Sequence, residues 1–299
     1  MNTIWLGYIF AVFSSLFSAI YVVPKKLSKQ KPIPYAMFMG IGFLIASIIG
    51  FLFLKIVYNI HESLLDPNLI IACIGGIVYA IASVFVLSSI DRIGLAKANQ
   101  WKSLQGPIGT FMMLTLLSEF LTTNLMFIFL AIIFLSVSAL LFTVREEHNN
   151  LIDKKGIIHA LLAAFFYGIF ALIQKYLTNK ELLYSQHIYI ALFIFISTST
   201  YLFLKDKSIK KSVILSKKEI ILPLAGGILY YGTSFFSILA YKYIAGSIAF
   251  MIHQLNAVWL FLFGVIIFRE INFKKHWLRL SIGLLCSLIG IFMLLLARK

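Results

Sequence analysis

The stretch ANQWKSLQGP, residues 98–107, places a tryptophan, a lysine and two glutamines between two apolar runs. If the helix starts near Ile93, Lys102 lies nine residues in, about 13 Å deep at 1.5 Å per residue. A lysine near the bilayer centre costs about 2.5–3.5 kcal/mol on insertion scales and normally faces a protein interior or a wet cavity. The stretch therefore predicts a polar cavity inside a membrane-embedded helix bundle.

The composition around this stretch is that of an all-α polytopic membrane protein. The 299 residues are 61% hydrophobic and 12% charged, whereas soluble domains are about 25% charged. The formal charge of +15 lies mostly in loops, where membrane topology and anionic lipid headgroups account for it, so we expect no nucleic-acid partner. Cys73 and Cys286 fall inside apolar runs and are interpreted as packing thiols.

Hydropathy predicts ten transmembrane helices. They lie near residues 3–23, 33–57, 68–90, 94–118, 124–144, 156–178, 184–204, 219–241, 245–268 and 276–296. No Lys or Arg precedes the first run, which continues to Val23, so we interpret it as a span and not as a signal peptide. The links at 91–93 and 242–244 are short enough to predict two antiparallel hairpins.

The two halves of this single transmembrane domain repeat, with repeat one near 1–148 and repeat two near 154–299. A shift of 151 positions lays the third and fourth spans on the eighth and ninth without a gap, and a shift of 149 lays the first on the sixth. The matched pairs include Gly76 with Gly227, Tyr79 with Tyr230, Ile93 with Ile244, Glu119 with Glu270 and Gly7 with Gly156. Each half has five spans, so the second enters the membrane the opposite way up, which is the inverted-repeat architecture of many transporters.

Charge distribution predicts the orientation. Loops after odd-numbered spans hold roughly eighteen Lys and Arg against about six on the other face, and the basic face is normally cytoplasmic. We therefore expect basic loops inside the cell and both termini outside.

The repeat also pairs the polar clusters of the fourth and ninth spans. Lys102 falls on His253, Ser103 on Gln254 and Gln105 on Asn256. Pro107 removes a backbone donor and should loosen its helix beside the cavity. The candidate substrate-binding residues are Trp101, Lys102, Gln105, His253, Gln254, Asn256 and Trp259, with the repeat-matched Tyr79 and Tyr230. His253 is the candidate for proton coupling, because its ordinary pKa lies near physiological pH.

Each candidate also has a purely structural interpretation. The amides of Gln105, Gln254 and Asn256 could join helices by hydrogen bonds, and Lys102 could pair with a buried partner. His253, the two tryptophans and the two tyrosines could be packing residues. Glu119 and Glu270 lie at span ends and are interpreted as end-of-helix or gate charges.

Motifs for other chemistries are absent from the sequence. No HExxH, Walker A or GxSxG pattern occurs, and no Cys/His spacing suggests zinc. We therefore expect a protein that is not an enzyme, with no cofactor and no metal.

Ten spans in two inverted halves resemble the EamA-like drug/metabolite transporter superfamily. The end of the first span, Ser18-Ala-Ile-Tyr-Val-Val-Pro-Lys-Lys26, is similar to the Val-Pro-x-Lys-Lys signature of the glucose/ribose porter family, and KSLQGPIGT at 102–110 resembles its fourth span. The resemblance implies secondary transport of a sugar between the halves, with proton-coupled uptake. The ninth span departs from the family, with Asn256-Ala-Val-Trp259 in place of its proline and glycine.

Three functions remain open at this stage. The first is a secondary transporter of a small polar solute, a sugar or related metabolite, working by alternating access with protons as a candidate coupling ion. The second is an exporter of amino acids, metabolites or amphipathic drugs on the same fold. The third is a non-transporting membrane scaffold or sensor. The oligomeric state is open, a homodimer included, and the expected partners are the solute and the lipid bilayer.

Overall fold

The computed structural model describes residues 3–93, 98, 101–142, 153–205, 217–266 and 273–297. Over these residues the chain forms helices and no β-strand, so the predicted all-α polytopic class is confirmed. The helices are α1 (Thr3–Ile20), α2 (Val23–Leu27), α3 (Pro32–Tyr58), α4 (Leu69–Ile93), α5 (Gln105–Leu116), α6 (Leu125–Phe142), α7 (Lys154–Asn179), α8 (Ser185–Lys205), α9 (Lys217–Tyr243), α10 (Gly246–His253), α11 (Asn256–Ile266) and α12 (Phe273–Leu296).

Seven segments are long and apolar enough to cross a membrane, namely Thr3–Leu27, Pro32–Tyr58, Leu69–Ile93, Lys154–Asn179, Ser185–Leu204, Lys217–Tyr243 and His276–Leu296. They match seven of the ten predicted spans to within a few residues. The predicted fifth span contains α6, whose apolar part Leu125–Ser138 is shorter. The predicted fourth and ninth spans are interrupted by turns, and their crossing of the membrane remains a prediction.

Side chains on the outer faces are those expected beside lipid. Ile49, Phe53, Phe203 and Leu285 are each more than half exposed to the surroundings of the chain. Inside, one hydrophobic core lies among α3, α4, α7 and α8. A second core lies where α5, α6, α10 and α12 meet.

The main helix contacts recur at the spacing of the predicted repeat. Helix α1 packs along α9 as α7 packs along α4, and α3 packs on α9 as α8 packs on α4. Gly76 lies against the carbonyl oxygen of Ile190, and Gly227 lies against that of Met39; neither site leaves room for a Cβ atom. These two contacts differ by 151 positions at both partners.

Carboxylate side chains outside the spans cap the N-termini of two helices. Glu62 accepts hydrogen bonds from the backbone amides of Leu183, Tyr184 and Ser185 at the start of α8. Asp153 accepts from the amides of Gly156 and Lys155 at the start of α7. The Gly156 amide is the main cause that lowers the pKa of Asp153. These contacts satisfy the free amides that every helix N-terminus presents.

Candidate functional site

The fourth and ninth spans turn at the same place in the repeat. Residues Ser103–Leu104 interrupt the fourth span and Gln254–Leu255 interrupt the ninth, again 151 positions apart. The Gly106 amide donates to the carbonyl of Ser103 at 3.1 Å, and the Ala257 amide donates to that of Gln254 at 3.2 Å. Both turns therefore use hydrogen bonds to the third preceding residue, which tighten the backbone relative to an α-helix.

A proline follows only the first of these turns. Pro107 has no amide hydrogen for the carbonyl of Ser103, four residues earlier, and its ring would clash with that carbonyl in a regular helix. The predicted loosening is present, but it lies three to four residues before the proline, and the Ser103 carbonyl is bonded by Gly106 and not left open. At the matching position Val258 donates to the carbonyl of Leu255 at 2.9 Å, so the ninth span turns without a proline.

The two turns contact each other. The side-chain amide of Gln105 donates to the side-chain oxygen of Gln254 at 3.3 Å, and both residues are buried. Gly106 makes the approach possible, because a Cβ atom there would lie 2.7 Å from Cγ of Gln254. A buried polar contact thus joins the two interrupted spans.

Two cavities lie beside this contact. The polar cavity, about 420 Å³, has Ser18, Gln105, Gln174, Thr233, Ser234 and His253 among its lining residues. The tyrosine cavity, about 480 Å³, includes Lys25, Tyr35, Tyr79 and Ser83 in its lining. Tyr21, Lys102 and Tyr167 line both and stand where the two cavities adjoin.

Lys102 is 6% exposed, and its ammonium lies 5.1 Å from the centre of the Tyr167 ring. A cation over an aromatic face gains about 0.5–2 kcal/mol, less than its cost of burial in a membrane. In the part of the chain that the structure describes, no carboxylate lies within 4.0 Å of it. The sequence-based expectation that this lysine faces a cavity agrees with its position.

Tyr79 and Tyr230, the repeat-matched pair, contact each other with ring centres 4.6 Å apart. Tyr230 lines the polar cavity and Tyr79 the tyrosine cavity. Tyr21 packs on Tyr230 and Tyr167 on Tyr79, with ring centres 5.2 and 5.4 Å apart. The cavities are thus bounded by aromatic faces, and Tyr21 and Tyr167 were missed by the sequence analysis.

His253 ends a chain of short polar contacts. Its Nδ1 lies 2.8 Å from Oγ of Ser14, which lies 2.6 Å from Oγ of Ser237 and donates to the carbonyl of Thr233 at 3.1 Å. Ser14 has one hydroxyl hydrogen, and the carbonyl can only accept. All three contacts are satisfied together when Ser237 and Nδ1 of His253 both donate to Ser14. In a neutral ring that arrangement leaves Nε2 as the proton acceptor.

The other candidates contact neighbouring helices. Asn256 donates to Oγ of Ser18 at 3.2 Å, and the indole of Trp259 donates to Oγ of Ser15 at 2.9 Å, so both bind α11 to α1. The side-chain amide of Gln254 donates to the carbonyl of Phe250. Trp101 is half-buried, and neither cavity has it in its lining. These four residues lie behind or beside the cavity walls.

The cavity also contains polar residues that sequence reasoning did not select. Gln174 donates to Oγ of Ser234 at 2.6 Å, joining α7 to α9 inside the polar cavity. The hydroxyl of Thr233 is buried and has no hydrogen-bond partner among the described residues. The repeat could have indicated Tyr167, one of the missed cavity residues. The shift of 149 positions aligns it with Ser18, which belongs to the quoted signature at 18–26.

Glu119 joins helix ends at the edge of the bundle through buried hydrogen bonds and an ion pair. Its two carboxylate oxygens accept from the amides of Gly246 and Ser247 at 2.7 and 2.8 Å, at the start of α10. Lys175 lies 3.9 Å from the same carboxylate and donates to the carbonyl of Tyr241 at 2.7 Å. The contact joins the ends of three helices, whereas Glu270, its repeat partner, lies outside the described residues.

Metal ligands do not cluster in the described part of the chain, where no group of three or more His, Cys, Asp and Glu comes together. Cys73 and Cys286 are partly buried and carry free thiols. Within these residues, the polar cavity and its lysine are the main candidate site.

Helices long enough to span a membrane, with interrupted segments meeting beside polar cavities, are features of the solute-transporter class of multi-pass membrane proteins. The sequence matches the family model described as "Sugar transport protein" over residues 9–297, and the chain belongs to this family. It belongs within the drug/metabolite transporter-like group, which confirms the resemblance and makes the protein a transporter of a sugar-like solute.

A solved structure titled "Crystal structure of protein" shares this fold, with a TM-score of 0.71 and 13% sequence identity. The similarity covers 100% of this chain and 97% of that one. No curated protein matches the sequence at a significant level.

Proposed function

We propose that the protein is a secondary transporter that moves a small polar solute, a sugar or related metabolite, by alternating access between two inverted five-helix repeats. The observation that carries the proposal is the contact of Gln105 with Gln254, where two interrupted spans meet beside the polar cavity. Interrupted helices near mid-membrane are where transporters of this type expose polar groups to a solute.

The repeated contacts support two equivalent halves. Gly7 lies against the side chain of Ile244, and Gly156 lies against that of Ile93. These are the glycine and isoleucine pairs that the two sequence shifts match. Small residues at both crossings allow the same close packing in each half, as expected if residues near 1–148 and 154–299 form related bundles that can rock against each other.

In this proposal the solute contacts residues from both halves. Gln105 and Gln174 offer amides to hydroxyl groups, and the tyrosine rings offer flat faces to the apolar side of a sugar. Lys102 and His253 supply the ionisable groups. Asn256, Gln254 and Trp259 act from behind the wall, by holding α1 and the interrupted spans in place, and Trp101 remains a candidate beside Lys102.

We propose that transport is directed into the cell and is coupled to protons. Nε2 of His253 would accept a proton from one face and release it to the other as the halves rock. Basic loops in the cytoplasm and both termini outside complete the proposed orientation. Cells expressing the protein should become more sensitive to toxic sugar analogues. Protection of those cells would favour the alternative, an exporter of amino acids, metabolites or drugs on this fold.

Gln105→Ala tests the site. Loss of the amide removes both a wall group and the contact with Gln254, so we expect uptake into proteoliposomes to fall at least tenfold while the purified variant stays monodisperse. Gln186→Ala is the matched control, because Gln186 is equally buried but bonds to the carbonyl of Leu182, just before α8. Wild-type uptake by the Gln105 variant would remove this residue from the site.

A further inference from the structure

Three lysines are buried in the described part of the chain, and two of them have their charge balanced. Lys25 lies 3.5 Å from a carboxylate oxygen of Asp91 and donates to the carbonyl of Gln30 at 2.8 Å. Lys175 has Glu119 and the carbonyl of Tyr241. Both contacts lie toward the ends of helices, so these two lysines serve the architecture of the bundle.

Lys102 is buried to the same degree and has neither kind of partner among the described residues. Its ammonium has the Tyr167 ring beside it and lines both cavities. Among the described residues, no aspartate or glutamate lines either cavity. The region where the cavities adjoin therefore contains a buried cation that faces open space, and the described part of the chain supplies no counter-ion for it. A charge removed from water normally has a partner, so a partner from outside the protein is expected here.

The groups around Lys102 indicate the chemistry of the rest of that partner. The phenol oxygens of Tyr35, Tyr79 and Tyr167 and the hydroxyl of Thr233 are buried without hydrogen-bond partners in the described chain. Hydroxyls can both donate and accept, as can the hydroxyls of a sugar. Aromatic rings cover the adjoining walls. One cation and several free hydroxyls fit one negative charge on a polyhydroxylated molecule better than a phosphate, which carries close to two charges.

We propose that the solute is a sugar acid, a monocarboxylate such as a uronate or an aldonate, whose carboxylate pairs with Lys102. This inference rests on the proposed transport function. The carboxylate distinguishes the solute from the neutral parent sugar, because only the acid supplies the missing counter-ion. The amides of Gln105 and Gln174 and the free hydroxyls then bind its hydroxyl groups.

The test compares D-glucuronate with D-glucose, which differ only at C6. Binding to the purified full-length protein is measured by thermal shift and calorimetry, and uptake by proteoliposomes loaded with buffer. Wild-type protein should bind glucuronate at least tenfold more tightly than glucose. Lys102→Met should lose that preference, and Lys102→Arg, which keeps the charge, should retain most of it. Lys180→Met is the control, because the Lys180 ammonium also lies beside a tyrosine ring, 5.7 Å from the centre of Tyr176, but lines neither cavity, and it should leave the preference intact.

Each outcome decides the proposal. Equal or tighter binding of glucose, or a preference for glucuronate that survives Lys102→Met, overturns the carboxylate assignment and leaves sugar transport standing. Failure of wild-type protein to bind or transport either compound, with D-gluconate and D-galacturonate included, overturns both the assignment and the proposed sugar site. If Lys102→Met does not fold, the wild-type preference, which needs no variant, decides alone.

Discussion

Single residues in this protein are assigned to the site or to the scaffold by what they contact. Lys102 and Gln105 were selected from their depth in an apolar run, and both line the polar cavity. Asn256 was selected by the same argument, yet its side chain donates to Ser18 on α1. A sequence shows that an amide is at mid-span, but it does not show which neighbour faces that amide, because this depends on helix rotation.

The sequence analysis did not identify Gln174 and Ser14, for a related reason. Their contacts join residues 60 and 239 positions apart, Gln174 with Ser234 and Ser14 with His253. Serine is also common in membrane helices as a local donor to its own backbone, so a serine in an apolar run carries little signal. Packing of α7 against α9 and of α1 against α10 brings these side chains to their partners, and Gln174 thereby lines the polar cavity.

His253→Gln tests the coupling role at this scale. Glutamine can still donate to Ser14 but cannot bind and release a proton near neutral pH. We expect the variant to exchange labelled solute across the membrane at no less than half the wild-type rate. An imposed proton gradient should no longer drive its accumulation, as measured in proteoliposomes with defined internal and external pH.

Ser47→Ala provides the control, because the Ser47 hydroxyl is buried and bonds within its own helix, to the carbonyl of Phe43. Accumulation by His253→Gln equal to that of the wild type would assign coupling to another group.

At the scale of helices, the sequence predicted most of the long spans, because a continuous apolar run of about 20 residues is a strong signal. Interruption of the ninth span was not predicted. The turn at Gln254–Leu255 has no proline, and the Gln254 side chain contacts Gln105 of the fourth span. Helix α4 also continues through the predicted link and ends at Ile93, because the polar pair Asp91 and Arg92 is compatible with helical structure at a helix end.

Pro107→Val tests whether the turn depends on the proline. The substitution gives the fourth span the residue found at the matching position of the ninth, where Val258 donates to Leu255 and the turn persists. We expect uptake within about twofold of the wild type, because packing against Gln254 holds the turn. Loss of uptake in a well-folded variant would show that the proline itself is required.

Substitutions of Glu119 and Lys175 test the buried ion pair that joins the helix ends. Removing one partner leaves a buried charge unpaired, which typically costs about 3–5 kcal/mol. Glu119→Gln and Lys175→Met should therefore each lower thermal stability in detergent, and the double variant should be less destabilised than the sum of the two, as coupled neighbours are. Strictly additive effects would mean that the 3.9 Å contact carries no interaction energy.

For the whole molecule, the proposed alternating access requires two halves of opposite orientation around one polar site. The sequence indicated this through a gap-free internal match, and the structure adds repeated contacts at Gly76 and Gly227 and paired turns at 103–104 and 254–255. The cavities themselves could not be predicted, since their shape depends on how α1, α4, α7 and α9 approach one another. The bilayer orientation follows from charge alone and needs its own experiment.

The most direct measurement compares the two short links in a variant lacking Cys73 and Cys286. Arg92→Cys and Lys242→Cys place single thiols at exposed positions of the two repeat-related links, and a membrane-impermeant maleimide is applied to intact cells and then to inverted vesicles. The ten predicted spans place five crossings between the links, so Lys242→Cys should react from outside and Arg92→Cys only from the cytoplasmic face. Labelling of both thiols from the same side would contradict the inverted repeat and the transport mechanism built on it.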